Sequence, residues 1–325
     1  MKISFVTTIY KTGRSIQPFV DRVLLASKEM GFEYEIIFVN DASPDDGLEL
    51  AKNLADSNSN IKVIDLARNY GQHKALWTGM EASCGDFVMI LDGDMEEDPY
   101  WSKEFYNIMH QNDADVVFGI QKAPKGNFAY RIFRRIFYRI LSFLSDFDFP
   151  RNVTTARLMK REYVDVLKSF EEREIWLVGV LHSAGFKQIS APVDKFKSDP
   201  TTYSIAMLVR LFITAITAFS IKPLIGVFIS GIVISFLAFV YIGVLLMNYL
   251  FSGIGVPGWT SVMAGMFLMG GILTSFVGII AIYVGTIFNE TKRRPRTIIK
   301  SVYQAPSAPL SVSKPRRRKT VRLQK

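Results

Sequence analysis

The 325-residue chain has one cysteine, Cys84, and three histidines, His73, His110 and His182. A single thiol closes no intrachain disulfide and builds no cysteine-based zinc site. Three scattered imidazoles are too few for a histidine metal cage, and His73 and His182 are read as structural or solvent-facing. No G-x-G-x-x-G follows the first strand pattern, and G-x-x-x-x-G-K-[ST] occurs nowhere; dinucleotide and P-loop sites are therefore unsupported. The opening MKISFVTTIY lacks the long apolar core of a secretory signal, which places the N-terminus in the cytoplasm. The largest absence is of charge: the 67 residues from Pro223 to Asn289 contain no Asp, Glu, Lys or Arg.

That stretch holds two apolar runs, 224–251 and 258–288, each longer than the ~20 residues that cross a bilayer. Gly and Pro between them predict a tight turn. A buried hairpin of a soluble protein is the alternative, and the missing charge argues against it. The net charge of +9 comes from 39 basic and 30 acidic residues. Residues 291–325 carry 12 basic and no acidic residues, whereas residues 1–222 hold 27 basic against 29 acidic. The excess thus sits in the tail, and no nucleic-acid partner is expected. Lys292-Arg293-Arg294 beside the second run predicts that both termini face the cytoplasm, in a multi-pass protein of the cytoplasmic membrane. The distal cluster Arg316–Lys319 reads either as an arm near anionic lipid or as a solvated tail.

Residues 1–120 alternate strand and helix patterns. Strands are predicted at 3–10, 34–40, 61–66, 87–91 and 115–119, with helices at 15–30, 46–58, 73–82 and 101–111. This alternation predicts an α/β fold with a mostly parallel sheet and helices on both faces. Ligands of such sheets bind beyond the carboxyl ends of the strands. The expected organisation is a catalytic domain over 1–200, an interfacial helix over 201–222, a membrane hairpin over 223–289 and a basic tail over 290–325.

The second strand ends in Asn40-Asp41-Ala42-Ser43-Pro44-Asp45-Asp46, and the fourth in Asp92-Gly93-Asp94-Met95-Glu96-Glu97-Asp98. Carboxylates crowded past buried strands repel one another unless a cation or donor groups compensate them. Hard oxygen ligands favour Mg²⁺ or Mn²⁺, commonly shared with substrate phosphates. Asp92 and Asp94 are the metal candidates, and Gly93 permits close backbone approach. Asp41 is placed to hydrogen-bond a base or ribose. Asp45, Asp46, Glu97 and Asp98 read as helix caps and first-turn acids. In 128–144, Arg131, Arg135 and Arg139 recur every four residues beside an apolar stripe. This predicts a basic amphipathic helix at a membrane surface, with Arg131 and Arg135 meeting lipid phosphate; an ordinary surface helix is the alternative. Residues 203–220, nearly uncharged, are a second interfacial candidate.

The segments EIIFVNDASPDD (35–46), ARNYGQHKAL (67–76), GDFVMILDGDMEEDP (85–99), ARLMKR (156–161) and GIIAIYVGTIFNETKRRP (278–295) occur in order. With them the chain resembles the inverting family-two glycosyltransferases of GT-A fold. Within these it resembles the polyprenyl-phosphate glycosyltransferases of the dolichyl-phosphate mannose synthase and bactoprenol glucosyltransferase types. The resemblance implies that Asp41 contacts the donor nucleotide and that Asp94 is the main metal ligand, with Asp92 and Glu96 beside it. It also implies that Arg157 sits near a donor or acceptor phosphate, and that the protein is a homo-oligomer. Thr8, Lys11-Thr12, Gln121, Thr154-Thr155 and Glu96 depart from the family pattern.

The expected reaction moves a sugar from a nucleotide-diphosphate sugar to polyprenyl phosphate. A phosphate acceptor is largely ionised near neutral pH (second pKa ~6) and needs no general base. A sugar-hydroxyl acceptor, the nearest alternative, would need one, and Glu172 or Glu174 are the candidates. An inactive membrane module that binds lipid or a partner is the alternative of another class; the presence of Asp41, Asp92 and Asp94 argues against it.

Overall fold

The structure, a computed structural model, describes residues 1–121, 152–173, 175–195, 220–252 and 258–305. The apolar runs β1 (Lys2–Ile9), β2 (Glu33–Asn40), β3 (Ile61–Leu66) and β4 (Phe87–Ile90) lie side by side as parallel strands. They belong to one eight-stranded sheet with β5 (Val116–Gln121), β6 (Val153–Lys160), β7 (Gln188–Val193) and β8 (Ile299–Tyr303). The order is β7-β5-β6-β4-β1-β2-β3-β8. Only β6 and β8 run against the common direction.

Helices cover both faces, which is why the strands are near-continuous apolar runs rather than alternating ones. On one face α1 (Ile16–Met30), α2 (Gly47–Ser57) and α4 (Trp101–Gln111) pack on a core that includes Phe5, Phe19, Phe38, Met89 and Phe105. On the other, α3 (Gln72–Glu81), α5 (Arg161–Lys168) and α6 (Leu177–Ser183) cover Val6, Ile37, Trp77, Ile90, Tyr163 and Val180. Gly31 ends α1 at φ 66°, with its N–H on the Lys28 carbonyl and that of Phe32 on Ser27. A glycine takes that left-handed stop at least cost. Observed and expected strands and helices agree within two residues over 1–121.

The apolar stretch forms two long helices, α7 (Lys222–Ser252) and α8 (Trp259–Thr291). Their most apolar parts, Lys222–Tyr241 and Gly265–Thr291, have mean hydropathy 2.5 and 2.2, and none of either is buried in the protein. Phe239 and Phe267 are 76% and 77% exposed. That contradicts a hairpin buried within the protein, and both helices are long and apolar enough to cross a membrane.

Beyond α8 the chain rejoins the eight-stranded sheet. β8 pairs antiparallel with β3, Val63 opposite Tyr303 and Ile64 opposite Val302, inside the segment expected to be only a basic tail. The approach to β8 is pinned as well. The Arg296 side chain donates to the Glu172 carbonyl (2.6 Å), to Glu81 (2.9 Å) and to the Phe170 carbonyl. The hydroxyls of Thr78 and Thr297 are 2.7 Å apart. At the end of α8, Glu290 accepts the Arg173 backbone N–H at 3.0 and 3.1 Å.

Candidate active site

β1, β2 and β4 are neighbours and end at the same edge of the sheet. In the turn beyond each, one non-glycine residue has a positive φ: Lys11 at 59°, Ala42 at 53° and Met95 at 63°. Side-chain-bearing residues in that region cost of order 1–2 kcal/mol each, and such strain concentrates at functional sites. The Lys11 N–H donates to Ser43 Oγ at 2.7 Å, tying the first two turns together.

Asp41 follows β2 and is buried, 2% exposed. Its carboxylate accepts the backbone N–H groups of Tyr70 (2.7 Å) and Gly71 (2.9 Å), one on each oxygen. The contact fixes the turn that leads into α3, and Gly71 at φ 90° lets the backbone fold there. Burial raises the Asp41 carboxyl above its ordinary value, and the two N–H groups oppose that. Each oxygen keeps a further lone pair for a ligand.

The turn after β4 carries four carboxylates within six residues. Gly93 lies against β1, where an added Cβ would collide with the Thr8 carbonyl oxygen, so only glycine fits between Asp92 and Asp94. Asp92 accepts from Gln72 at one oxygen and from the Lys195 ammonium, 3.2 Å away, at the other. Asp94 stands exposed at the rim and accepts the Glu96 N–H at 2.9 Å. Partial desolvation, then the nearby charges of Asp92 and Glu96, raise its carboxyl above the usual range.

Glu97 does not cap a helix, contrary to expectation, because α4 starts only at Trp101. It is fully buried beneath the turn and accepts the N–H groups of Asp92 (3.2 Å) and Thr155 (2.9 Å). Lys195 Nζ lies 2.8 Å from it. Burial and the Asp92 charge push its carboxyl above its ordinary value, and the Lys195 ammonium opposes them. The same lysine reaches Glu96 at 3.4 Å, so one ammonium faces three carboxylates. Lys195 was not singled out from sequence; two residues beyond an edge strand, in VDKFK, it looks like a solvated charge. Of the other acids read as caps, Asp45 accepts the Gly13 and Gly47 N–H groups (2.9 and 3.2 Å), and Asp98 pairs with Arg22 while accepting the Tyr100 N–H.

Arg157 lies in β6 opposite Ile90 and Phe118. It is 2% exposed, its guanidinium sits 5.2 Å from the Phe118 ring centre, and Nη1 has no hydrogen-bond partner. Burial lowers it to about 10. Glu172, a candidate base for a hydroxyl acceptor, belongs to the α8 junction: its carbonyl accepts from Arg296, and burial and then Glu290 raise its carboxyl. Arg131, Arg135, Glu174 and the helix candidate at 128–144 lie outside the described residues, as does the candidate at 203–220 apart from Ser220.

Among the described residues no three acidic or imidazole side chains converge to cage an ion. The donor set still fits Mg²⁺ or Mn²⁺ in the manner of ions that take one or two carboxylates and complete their shell with water and substrate phosphate. Asp94 is an exposed carboxylate that makes no ion pair among the described residues, Asp92 stands two residues away, and the Lys195 ammonium lies 3.2 Å from Asp92.

Residues 4–167 match glycosyl transferase family 2. A Mycobacterium tuberculosis protein named as a glycosyltransferase is 36% identical over 303 residues, covering 93% of this chain and 89% of its own. The prophage bactoprenol glucosyl transferase homolog of Escherichia coli is 29% identical over 308 residues, 93% of this chain and 99% of its own. Among solved structures, a mycobacterial protein superposes with TM-score 0.50 at 17% identity, over 66% of this chain and 74% of its own; that likeness concerns the fold.

Proposed function

The chain belongs to glycosyl transferase family 2, and from that premise we propose that it moves a sugar from a nucleoside-diphosphate sugar to the phosphate of a polyprenyl carrier. Its mostly parallel sheet with helices on both faces is of the GT-A kind. The observation that carries the lipid half of the reading is the pairing of β8 with β3. The chain returns from the apolar hairpin directly into the sheet that carries the site, so the C-terminal end of the hairpin is tied to that sheet, and a bilayer around the hairpin would lie near the site. A relative named for bactoprenol, a polyprenyl lipid, matches 93% of this chain.

The donor would enter over the ends of β1, β2 and β4. Asp41 orders the 70–71 turn that frames it and offers its remaining lone pairs to base or ribose. Asp94, with Asp92 and Glu96 beside it, would hold Mg²⁺ or Mn²⁺, which supplies positive charge to the departing diphosphate. An ionised oxygen of the acceptor phosphate attacks the anomeric carbon from the face opposite the leaving group. The new C–O bond forms as the bond to the diphosphate breaks, and the electron pair leaves with the diphosphate; no proton has to be removed from the acceptor. Arg157, with an unpartnered buried nitrogen, is the candidate to stabilise phosphate charge from below the turn. Catalysis would take place at the cytoplasmic face, giving a polyprenyl-phospho-sugar for envelope glycan or glycolipid assembly.

The test is a transfer assay with purified full chain, polyprenyl phosphate, Mg²⁺ or Mn²⁺ and a panel of nucleotide sugars. Mass spectrometry of the organic phase reads the product, and Asp94→Asn is the control. A product that requires both the metal and Asp94 is expected. Donor binding without any lipid product would move the acceptor to a glycan hydroxyl.

A further inference from the structure

Four carboxylates, Asp92, Asp94, Glu96 and Glu97, crowd one turn, and among the described residues one ammonium reaches three of them: Lys195 Nζ lies 2.8 Å from Glu97, 3.2 Å from Asp92 and 3.4 Å from Glu96. The side chains of Lys195, Asp92 and Glu96 are 15%, 16% and 17% exposed, and that of Glu97 is 0% exposed, so the cluster is shielded from water and its charges act strongly on one another. A lysine has three N–H donors on a compact charge, one for each carboxylate here. Both Asp92 oxygens are engaged, one by Gln72 and one by Lys195. Asp94 accepts the Glu96 N–H and, among the described residues, makes no ion pair.

We propose that Lys195 is the resident counter-cation of this turn: it holds Asp92, Glu96 and Glu97 together when no divalent ion is present and keeps the affinity of the turn for such an ion low until a nucleoside diphosphate arrives to share it. This rests on the reading of Asp92 and Asp94 as metal ligands. An ion arriving alone meets one open carboxylate, Asp94, and must compete with an ammonium for Asp92. An ion arriving with a diphosphate brings phosphate oxygens and negative charge that offset the ammonium. Lys195 is thus a positioning residue that makes ion and nucleotide bind together, so that the turn does not take up Mg²⁺ or Mn²⁺ without substrate.

The experiment is a titration of the full chain in detergent with Mn²⁺, read by the paramagnetic resonance signal of the free aqua ion, with and without UDP or GDP. Thermal melts verify the fold. In Lys195→Met, Mn²⁺ alone is expected to bind at least about tenfold tighter than in the wild type, because the competing charge is gone, and the gain from added nucleotide shrinks. Lys195→Arg keeps the charge and should stay near wild-type affinity. Folded Lys195→Met with unchanged or weaker Mn²⁺ affinity overturns the proposal; Lys195→Gln serves in the same titration if the methionine variant does not fold. If the wild type binds no Mn²⁺ even with nucleotide, the metal-site reading itself fails. A normal ternary complex with an unaltered Lys195→Met titration removes only the role of Lys195.

Discussion

The guanidinium of Arg296, five residues beyond the last residue of α8, lies 5.0 Å from the centre of the Trp77 ring on α3. It also reaches Glu81, 2.9 Å away at the end of the same helix. The opposite end of α3 begins beside Gly71 and Gln72, which contact Asp41 and Asp92. One helix therefore connects the junction with the apolar hairpin to the candidate donor site. Arg296→Ala removes the stacking and at least three hydrogen bonds of a largely covered side chain. A loss of about 2 kcal/mol is expected, read as a lower Tm, together with faster amide exchange at Ile299–Tyr303. Arg296→Lys should recover only part of it, since the planar fork is lost.

Gly93→Ala places a methyl group against the Thr8 carbonyl. Backbone on both sides has to move, so a destabilisation of about 2 kcal/mol or more and a fall in transfer of about 100-fold are expected. Steady-state kinetics beside thermal melts would measure both.

Glu97→Ala leaves the largely buried Lys195 without its nearest partner and strips two backbone N–H groups of their acceptor. Removing one member of a buried pair costs about 3–5 kcal/mol, so this variant should be among the least stable at the site. Denaturant unfolding gives the value. A loss below 1 kcal/mol would show that Asp92 and Glu96 alone satisfy the lysine.

Burial, partly opposed by a hydrogen bond to the Ile175 backbone, lowers the His73 imidazole below its ordinary 6.5. The unfolded chain then holds that proton more readily than the folded one, so stability is present above the unfolded value and lost as pH falls through it toward the lower folded value. The Tm should drop between about pH 7 and pH 5, and His73→Gln should flatten that part of the curve. An unchanged slope would assign the acid sensitivity to another group.

The strands and helices of residues 1–121 were legible because each is a short apolar run bounded by turn residues. Strand direction was not: nothing in Val153–Lys160 says that it enters antiparallel between β4 and β5. Asp92, Gly93 and Asp94 stood out by spacing beyond a buried strand. Glu97 did not, since a Glu-Asp-Pro run looks like the start of a helix, and only the position of Trp101 shows that the helix begins later. Lys195 becomes visible only when β7 packs beside β5 and brings residues about a hundred positions apart together. β8 is five residues within a basic segment, too short and too charged to read as a strand, and its partner β3 lies more than 230 residues earlier.

The position of β8 also sets an order of events during synthesis. A ribosome works from the amino end, so the outer edge of β3 stays unpaired until both long apolar helices have been made. Ala67, whose N–H ends on the Ile298 carbonyl, waits for its acceptor through the same interval. A nascent chain stalled before Ile299 carries a sheet with an open edge, a template for pairing with another chain. The finished sheet is thus available only to molecules whose hairpin is complete, and the last strand acts as a seal on correct assembly.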